Sequence, residues 1–286
     1  MKWINNRKIL IVGLGLMGGS YAKALKRIGY TVNAIDARKE SIEYALENGI
    51  IDEGSDTPDD KLISEADAII FAVYPKIICD WIRDNQDKFR SGIIITDVTG
   101  IKGNIVYNIQ DILRKDVEFI ASHPMAGREL SGVESADERI FRDANFIVVP
   151  TKDNTQDAIG WCTSLGKILG CKKVSVLSPE EHDRMIAYVS QLTHCIAVSL
   201  MTCHDDPKIA DYTGDSFRDL TRIARINENM WSELFLMNRE ALLGEMDAFI
   251  GELTMLRDGI RNGDVEFLKE KMRLSTERRE KFEVRS

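Results

Sequence analysis

Histidine is scarce in this chain, which has four among its 286 residues, and one of them stands in an unusual segment. The segment is "FIASHPMAGRELSG", where His123 follows an apolar run and lies between Ser122 and Pro124. An imidazole, with an unperturbed pKa of about 6.5, can accept a proton from an alcohol while a hydride leaves the same carbon. We therefore predict that His123 is a catalytic base and Ser122 a second catalytic residue, both directed at substrate or cofactor. Glu129, just beyond, fits a base-orienting or substrate-binding carboxylate and a solvated loop residue equally well.

A second polar set lies in "HDRMIAYVSQLTH", an expected helix. Asp183, Ser190 and His194 are separated there by seven and four residues, which places them along one helix face. Polar side chains in an apolar segment are costly to bury without partners, so we favour a substrate-binding cleft over a satisfied core network. His182 points about a third of a turn away and is a weaker candidate. His204, in "CHDDP", is expected in a surface loop.

Arg218, Arg222 and Arg225 form a positive stripe, at i, i+4 and i+7, in a chain whose net charge is −8. The stripe fits a solvated helix face balanced by nearby aspartates, where an ion pair contributes roughly a few tenths of a kcal/mol. It also fits the capture of a carboxylated substrate by a bidentate guanidinium fork. Arg222 is our candidate for that role, because its immediate neighbours carry no charge.

A glycine-rich turn predicts a dinucleotide site. "KILIVGLGLMGGS" contains G-x-G-x-x-G at Gly13, Gly15 and Gly18, after an expected strand and at the start of an expected helix. These glycines make the tight turn, let the backbone approach a pyrophosphate, and allow helix and strand to pack closely. Asp36 ends the second strand, where its carboxylate would accept from ribose hydroxyls and repel a 2′-phosphate, which favours NAD over NADP. Arg38 would soften that preference.

Other strand ends are expected to face the nicotinamide, because ligands of open parallel sheets sit outside the carboxyl ends of the strands. The predicted cofactor-binding residues are Gly13, Gly15, Leu16, Met17, Gly18, Asp36, Arg38, Val73, Tyr74, Asp97 and Thr99.

The elements that must position these residues follow from the apolar pattern. Short Val/Ile-rich runs alternate with helical segments up to about residue 177, which is typical of a doubly wound, mostly parallel α/β sheet. The expected strands are 8–13, 31–36, 68–73, 92–98, 117–122, 145–150 and 172–177. After Ser178 the pattern is helical, with a Met/Leu-rich segment around 227–260 and a charged final helix from about Asp264. We predict a Rossmann-type domain over residues 1–177 and an all-helical, substrate-binding domain over residues 178–286.

Composition narrows the class of protein. The five cysteines are odd in number and form no C-x-x-C pair, so we expect neither a disulfide framework nor a metal site, and we expect a cytoplasmic protein. The net charge of −8 argues against a nucleic-acid surface. The longest unbroken apolar run, "AIIFAV", is far shorter than the roughly 18 residues of a membrane span. The N-terminus also lacks the layout of a secretory signal.

Four motifs together resemble the prephenate dehydrogenase family, enzymes of tyrosine biosynthesis that oxidatively decarboxylate prephenate to 4-hydroxyphenylpyruvate. They are "GLGLMGGS" (13–20), "SHPMAGRELSG" (122–132), "HDRMIAYVSQLTH" (182–194) and "FRDLTRIA" (217–224), with Trp231 shortly after. The first motif is generic, whereas the other three in this order and spacing are specific. The resemblance covers nearly all of the chain.

The resemblance implies that His123 takes the proton of the ring 4-hydroxyl of prephenate as hydride passes to the nicotinamide of NAD. It implies that Ser122 helps to position that hydroxyl, that His194 shapes the substrate pocket and that Arg222 binds a substrate carboxylate. The expected substrate-binding residues are His194, Arg222, Glu129, Trp231, Asp183 and Ser190. It also implies a homodimer formed through the helical domain, which fits the Met/Leu-rich helices.

Two positions depart from the family pattern. The first is "DVTGIK" (97–102), since the family more often has Gly-Ser before the Val/Ile-Lys; here Thr99 would supply the hydroxyl instead. The second is Arg128, which is unexpected beside Glu129. The nearest alternative activity is arogenate dehydrogenase, the same reaction on a substrate with an amino group, which the charge of Arg128 would disfavour. A β-hydroxyacid dehydrogenase, which would use a helix lysine as its acid–base group, and a non-catalytic NAD-binding dimer are more distant alternatives.

Overall fold

The computed structural model describes residues 7–127 and 130–283. The chain divides into two compact units, of which the first ends at Asn238 and the second begins at Arg239. The predicted boundary between residues 177 and 178 lies inside the first unit, where strands give way to helices, and it stays a prediction.

A parallel sheet forms the centre of the first unit. Its strands are β1 (Lys8–Val12), β2 (Thr31–Ile35), β3 (Glu53–Ser55), β4 (Ala68–Phe71), β5 (Ile94–Asp97) and β6 (Glu118–Phe119). They lie in the order β3-β2-β1-β4-β5-β6, and every pairing is parallel, which confirms the predicted doubly wound sheet. The direction of the strand order reverses between β1 and β4, the point at which such sheets bind ligands. The edge strand β3, "EGS", carries no apolar run and was not predicted.

Helices cover both faces of this sheet. They are α1 (Leu16–Arg27), α2 (Lys39–Glu47), α3 (Asp60–Glu65), α4 (Pro75–Asn85), α5 (Gly103–Ile112) and α6 (Gln156–Ile168). In β1, Ile9 and Ile11 join the core under α1, α2 and α6, whereas Leu10 and Val12 join the core under α3, α4 and α5. Burial on both faces explains the continuous apolar strands of the sequence.

A second, three-stranded sheet corrects the prediction of one strand over 117–122. Ile120 still donates its N–H to the Ile95 carbonyl of β5 at 3.0 Å. The chain then leaves the large sheet as β7 (Ala121–Pro124), which pairs antiparallel with β8 (Asn145–Val149). The third strand, β9 (Lys173–Val176), pairs parallel with β8. Apolar alternation predicts a strand but not its partner, so this change of sheet could not be seen in the sequence.

Helices complete the first unit. They are α7 (Pro179–Ile186), a π turn (Ala187–Leu192), α8 (Thr193–Thr202), α9 (Ile209–Tyr212), α10 (Asp215–Thr221), a 3₁₀ turn (Arg222–Ala224) and α11 (Glu228–Met237). Helix α7 starts as the sequence predicts, because Ser178 and Glu181 form a capping box ahead of Pro179. The continuous helical segment Pro179–Thr202 is long and apolar enough to cross a membrane, a test that core helices of soluble proteins also pass.

The second unit contains two helices, α12 (Arg239–Asn262) and α13 (Val265–Glu283). Gly263 between them has φ +64°, a conformation that favours glycine. A Cβ on Gly259 would lie 2.7 Å from the Phe267 ring, so the two helices pack closely at that point. The predicted long segment around 227–260 is therefore divided, because α11 ends at Met237 before α12 begins.

A fully buried ion pair joins the two sheets of the first unit. The Lys102 ammonium lies 2.6 Å from Oδ2 of Asp97, and both side chains are 0% exposed. The same ammonium donates to the Ser122 carbonyl at 2.6 Å, and Oδ1 of Asp97 accepts from the Ser122 N–H at 3.1 Å. Both backbone groups of the residue before His123 are therefore held by one ion pair.

We expect Lys102→Met to lower the free energy of unfolding by about 3–5 kcal/mol, because it leaves the Asp97 carboxylate buried without its cation. Urea denaturation would measure this as a lower midpoint. Lys61→Met is the matched control, since Lys61 forms an exposed ion pair with Glu53 at 2.8 Å and its loss should leave the midpoint unchanged. A wild-type midpoint for Lys102→Met would show that the buried pair does not hold the fold.

Candidate active site

The glycine turn between β1 and α1 has the geometry of a phosphate-binding turn. Gly13 has φ +99°, and a Cβ there would lie 2.6 Å from the Ala72 carbonyl. A Cβ on Gly18 would lie 1.9 Å from the Gly13 carbonyl, whereas a Cβ on Gly15 would meet nothing within 4 Å. Two glycines are thus required by packing. The third borders open space at the start of α1, where free N–H groups attract an anion.

Asp36 follows β2 and is fixed in place before any ligand binds. Its Oδ2 accepts the Leu14 N–H at 2.6 Å and its Oδ1 accepts the Arg38 N–H at 2.9 Å. The Arg38 Nε lies 3.5 Å from the same Oδ1, and the Arg38 side chain is 56% exposed. The carboxylate therefore sits beside the glycine turn with little freedom to move, as a ribose-binding group requires.

The ends of β4 and β5 differ in whether their polar side chains are exposed or buried. After β4, Tyr74 is exposed and precedes the first turn of α4, and Val73 is partly buried. At the end of β5, Asp97 is buried and accepts hydrogen bonds from the Thr99 hydroxyl and N–H as well as from Lys102. The Asp97 carboxylate thus holds the protein's own groups, and its predicted contact with the cofactor stays a prediction. The Thr99 side chain is likewise turned inward.

His123 lies at the carboxyl end of the large sheet. A Cβ placed on Gly100, which follows β5, would be 3.9 Å from Nε2 of His123 and 3.9 Å from the Leu234 side chain of α11. The opposite ring nitrogen, Nδ1, is 2.9 Å from Nε2 of His182. Burial, together with the charges of His182 and Lys102, holds the pKa of His123 well below its usual value. The ring is therefore kept neutral, the form that can accept a proton.

The sequence ranked His182 below His194, whereas the structure places His182 in contact with His123. His182 is 0% exposed, and its Nδ1 lies 2.7 Å from Oδ1 of Asp183. Asp183 in turn accepts the backbone N–H groups of Lys102 at 2.9 Å and Gly103 at 2.7 Å. These bonds attach Asp183 to the start of α5, and the substrate contact predicted for it stays a prediction. The adjacent pair His182-Asp183 was the sequence signal for this cluster.

Ser122 is placed differently from the expectation that it converges with His123 on the substrate. Its side chain is fully buried, and its hydroxyl donates to the Asp97 carbonyl at 2.8 Å and lies 3.1 Å from the Thr96 hydroxyl. Successive side chains of a strand point to opposite faces, and of these two only that of His123 faces the position between Gly100 and Leu234, which we call the cleft. Ser122 thus acts on the site through the backbone that carries His123.

His194 and Trp231, both predicted to bind substrate, contact each other. Their rings stack with centroids 3.7 Å apart and an interplanar angle of 31°. His194 donates from Nδ1 to the Ser190 carbonyl at 2.9 Å. The π turn lies between Asp183 and His194, so the spacing along one α-helical face that the sequence predicts is not kept. Trp231 lies one helical turn before Leu234 on α11, and the Leu234 side chain borders the cleft at Gly100.

The arginine stripe is shorter than predicted. Helix α10 ends at Thr221, so Arg222 begins a 3₁₀ turn and Arg225 lies in extended backbone beyond it. Arg218 pairs with Asp215 at 3.5 Å, which is the solvated arrangement. Arg222 is exposed. Its role as the carboxylate-binding residue stays a prediction.

Two predicted positions, Arg128 and Glu129, lie outside the described residues. His204 is exposed in a loop, as the sequence predicts. Among the described residues, no group of three or more His, Cys, Asp and Glu side chains could hold a metal ion.

Two family models match the chain. One is described as "Prephenate dehydrogenase, nucleotide-binding domain" and matches residues 21–189. The other is described as "Prephenate dehydrogenase, dimerization domain" and matches residues 178–274. The two matches overlap at the start of α7, the region of His182 and Asp183.

Named relatives agree with these matches. A prephenate dehydrogenase of Bacillus subtilis is 32% identical over 91% of this chain and 72% of its own length. The solved structure of the Aquifex aeolicus prephenate dehydrogenase, in complex with hydroxyphenyl propionate and NAD+, is 30% identical with a TM-score of 0.87 and covers 98% of this chain and 99% of the other. A Synechocystis arogenate dehydrogenase structure is 25% identical with a TM-score of 0.82, over 96% of this chain and 99% of the other.

We expect the imidazole of His123 to stay neutral on acidification until the pH is well below about 6.5, the value of an unperturbed histidine. The reason is that burial and the neighbouring charges lower its pKa. An NMR titration of protein labelled at its four histidines would measure the midpoint, with the His123 signals assigned by their loss in His123→Asn. A midpoint at or above about 6.5 would contradict the described environment.

Proposed function

The chain belongs to the prephenate dehydrogenase family, and we propose that it catalyses the NAD-dependent oxidative decarboxylation of prephenate to 4-hydroxyphenylpyruvate and CO₂ in tyrosine biosynthesis. The observation that carries this proposal is the position of His123. A neutral, partly buried imidazole stands at the carboxyl edge of the parallel sheet, with Nε2 beside Gly100, which follows β5. A base in that place can serve an alcohol whose carbon gives up a hydride.

The glycine turn and Asp36 fit NAD. Gly15 leaves room for a pyrophosphate at the start of α1, and Asp36 presents a fixed carboxylate to a ribose. NAD supplies the hydride acceptor of the reaction when it is bound. A carboxylate at the Asp36 position disfavours the 2′-phosphate of NADP, so NADP is the weaker cofactor.

His123 would take the proton of the ring 4-hydroxyl as the hydride leaves the same carbon. The bond to the ring carboxylate then breaks, CO₂ departs, and its electron pair makes the ring aromatic. Because the product keeps a hydroxyl at that carbon, the proton returns to the oxygen, so His123 serves as base and then as acid. The lowered pKa of His123 suits both steps, since the ring starts neutral and releases the proton readily.

The other polar groups would position the substrate. Prephenate is a dicarboxylate, and Arg222, on the 3₁₀ turn after α10, is our candidate to bind one carboxylate through a guanidinium fork. The stacked rings of His194 and Trp231 would form one wall of the pocket. Glu129 and Ser190 remain candidates for the rest of the lining.

Arogenate dehydrogenase is the second candidate, because a structure of that activity has the same fold over nearly the whole chain. Arogenate carries an ammonium group where prephenate carries a keto group, so the two substrates differ in charge at one end. A β-hydroxyacid dehydrogenase would use a helix lysine as its acid–base group instead of His123, and a non-catalytic NAD-binding dimer would have no use for a base at the His123 position.

We also infer a cytoplasmic homodimer. A dimerization-domain model matches residues 178–274, and large apolar side chains are exposed on the second unit. They include Phe249, Ile250, Leu253 and Ile260. Burial of such side chains against a second copy would remove apolar surface from water.

Initial rates with prephenate and NAD, followed by NADH absorbance, test the reaction. We expect kcat/KM for prephenate to exceed that for arogenate, and arogenate preferred by tenfold or more would reverse the assignment. His123→Asn should lower kcat by roughly 10²–10⁴-fold with NAD binding unchanged, because it removes the base but not the cofactor site. Full activity in His123→Asn would remove His123 from the chemistry.

We expect Arg222→Ala to raise the KM for prephenate by about tenfold or more, since a charge-assisted hydrogen bond contributes about 1.5–3 kcal/mol. The KM for NAD should not change. Arg218→Ala is the matched control, because Arg218 is an exposed arginine one turn earlier that pairs with Asp215. An equal effect of the two substitutions would mean that Arg222 contributes only general positive charge.

A further inference from the structure

Three side chains form a continuous hydrogen-bonded line that ends at the proposed base. Nδ1 of His123 lies 2.9 Å from Nε2 of His182, and Nδ1 of His182 lies 2.7 Å from Oδ1 of Asp183. His182 and Asp183 are both buried, and neither belongs to the cofactor turn or to the Arg222 region. The line therefore runs from the interior of the protein to the edge of the cleft.

The chemistry of the three groups determines which of them donates each hydrogen bond. An ionised carboxylate only accepts hydrogen bonds, so Nδ1 of His182 must carry the proton and donate to Asp183. In a neutral ring the other nitrogen is then an acceptor, so Nε2 of His182 accepts from Nδ1–H of His123. This leaves Nε2 of His123 without a proton. That is the nitrogen nearest Gly100, on the cleft side.

We propose that His182 and Asp183 are positioning residues that hold His123 as its Nδ1–H tautomer, with Nε2 as the base, and that share the proton it accepts during turnover. The proposal rests on the proposed function for its catalytic half. In this role both residues act through His123 and not through a contact with the substrate.

Asp183 is anchored firmly enough for this task. The N–H groups of Lys102 and Gly103 donate to its two oxygens at 2.9 and 2.7 Å. Both belong to the start of α5, where the helix dipole favours a negative charge. The Asp183 carbonyl also accepts from the Asn238 amide at 2.9 Å, and that amide bonds Gln191 at 2.7 Å. Both ends of the residue are thus held by buried groups.

The charged groups around His123 explain why a partner is needed. The ammonium of Lys102 and the ring of His182 both lower the pKa of His123, and burial acts in the same direction. A proton placed on Nε2 therefore meets an unfavourable environment. Donation from Nδ1–H to His182, which faces the Asp183 carboxylate, spreads the positive charge toward the nearest counterion. Asp97, paired with Lys102, is the only other acid that we place beside this cluster among the described residues.

NMR of protein labelled with ¹⁵N-histidine tests the tautomers without any activity measurement. The chain has only four histidines, and His123→Asn and His182→Gln would assign the two signals of interest. At a pH where both rings are neutral, we expect both in the Nδ1–H form. A wild-type His123 found mainly as the Nε2–H tautomer would overturn the proposal. This result stands even if prephenate proves not to be the substrate.

Two substitutions of His182 separate positioning from packing. In His182→Leu the acceptor is lost, so we expect His123 to shift toward the Nε2–H tautomer and kcat to fall by roughly 10²-fold or more. In His182→Gln the amide oxygen can still accept from Nδ1–H of His123, so we expect the tautomer to be retained. Its kcat should lie between those of His182→Leu and the wild type, because an amide cannot carry the proton.

The KM for prephenate and the affinity for NAD should be unchanged in both His182 variants. A substitution that distorted the binding pocket would instead change one or both of these values. His204→Gln is the control, since His204 is an exposed loop residue, and it should have wild-type kcat. Wild-type kcat in His182→Leu would overturn the catalytic half of the proposal. If His182→Leu does not fold, as judged by circular dichroism, the tautomer of the wild type and the kcat of His182→Gln still decide.

Discussion

The site depends on one constraint, the buried ion pair of Lys102 and Asp97. Its ammonium and carboxylate together hold the carbonyl and N–H of Ser122, which fixes the backbone at the start of β7. The N–H of Lys102 itself donates to Asp183. A single residue therefore ties the strand that carries His123 to the helix that carries His182. Burying two charges is costly unless their geometry and partners are complete, and here each oxygen of Asp97 has a donor.

Buried and exposed polar groups have different roles in the proposed site. Buried polar groups, from Asp97 to Asn238, orient the base and contact one another. The other predicted ligand-binding groups, such as Tyr74, Arg222 and the His194–Trp231 stack, are exposed or half-buried. A preorganised base needs no rearrangement at the moment of proton transfer, which is the main advantage of surrounding it with fixed hydrogen bonds.

The sequence predicts well those features that depend on local patterns. The Rossmann-type sheet, the glycine turn and the start of α7 at Ser178 follow from apolar periodicity and turn chemistry. Features set by tertiary partners were not predictable. The run 117–122 alternates as one strand, yet it is divided between two sheets by hydrogen bonds to residues far away in sequence. Regular helical spacing favours His194 over His182, because it does not account for the π turn between them. The residue that His182 contacts, His123, lies 59 positions away in the sequence, so local spacing could not predict their hydrogen bond.

That π turn has a consequence for the length of the segment that contains it. Ala187–Leu192 separates the His182-Asp183 pair from His194, and the wider turn accommodates a residue that a regular helix would not. Removing one residue inside the turn would therefore restore regular helix and leave the residues beyond it in nearly the same orientation. Removing one residue from the regular helix on either side would instead rotate His194 by about 100° relative to the pair.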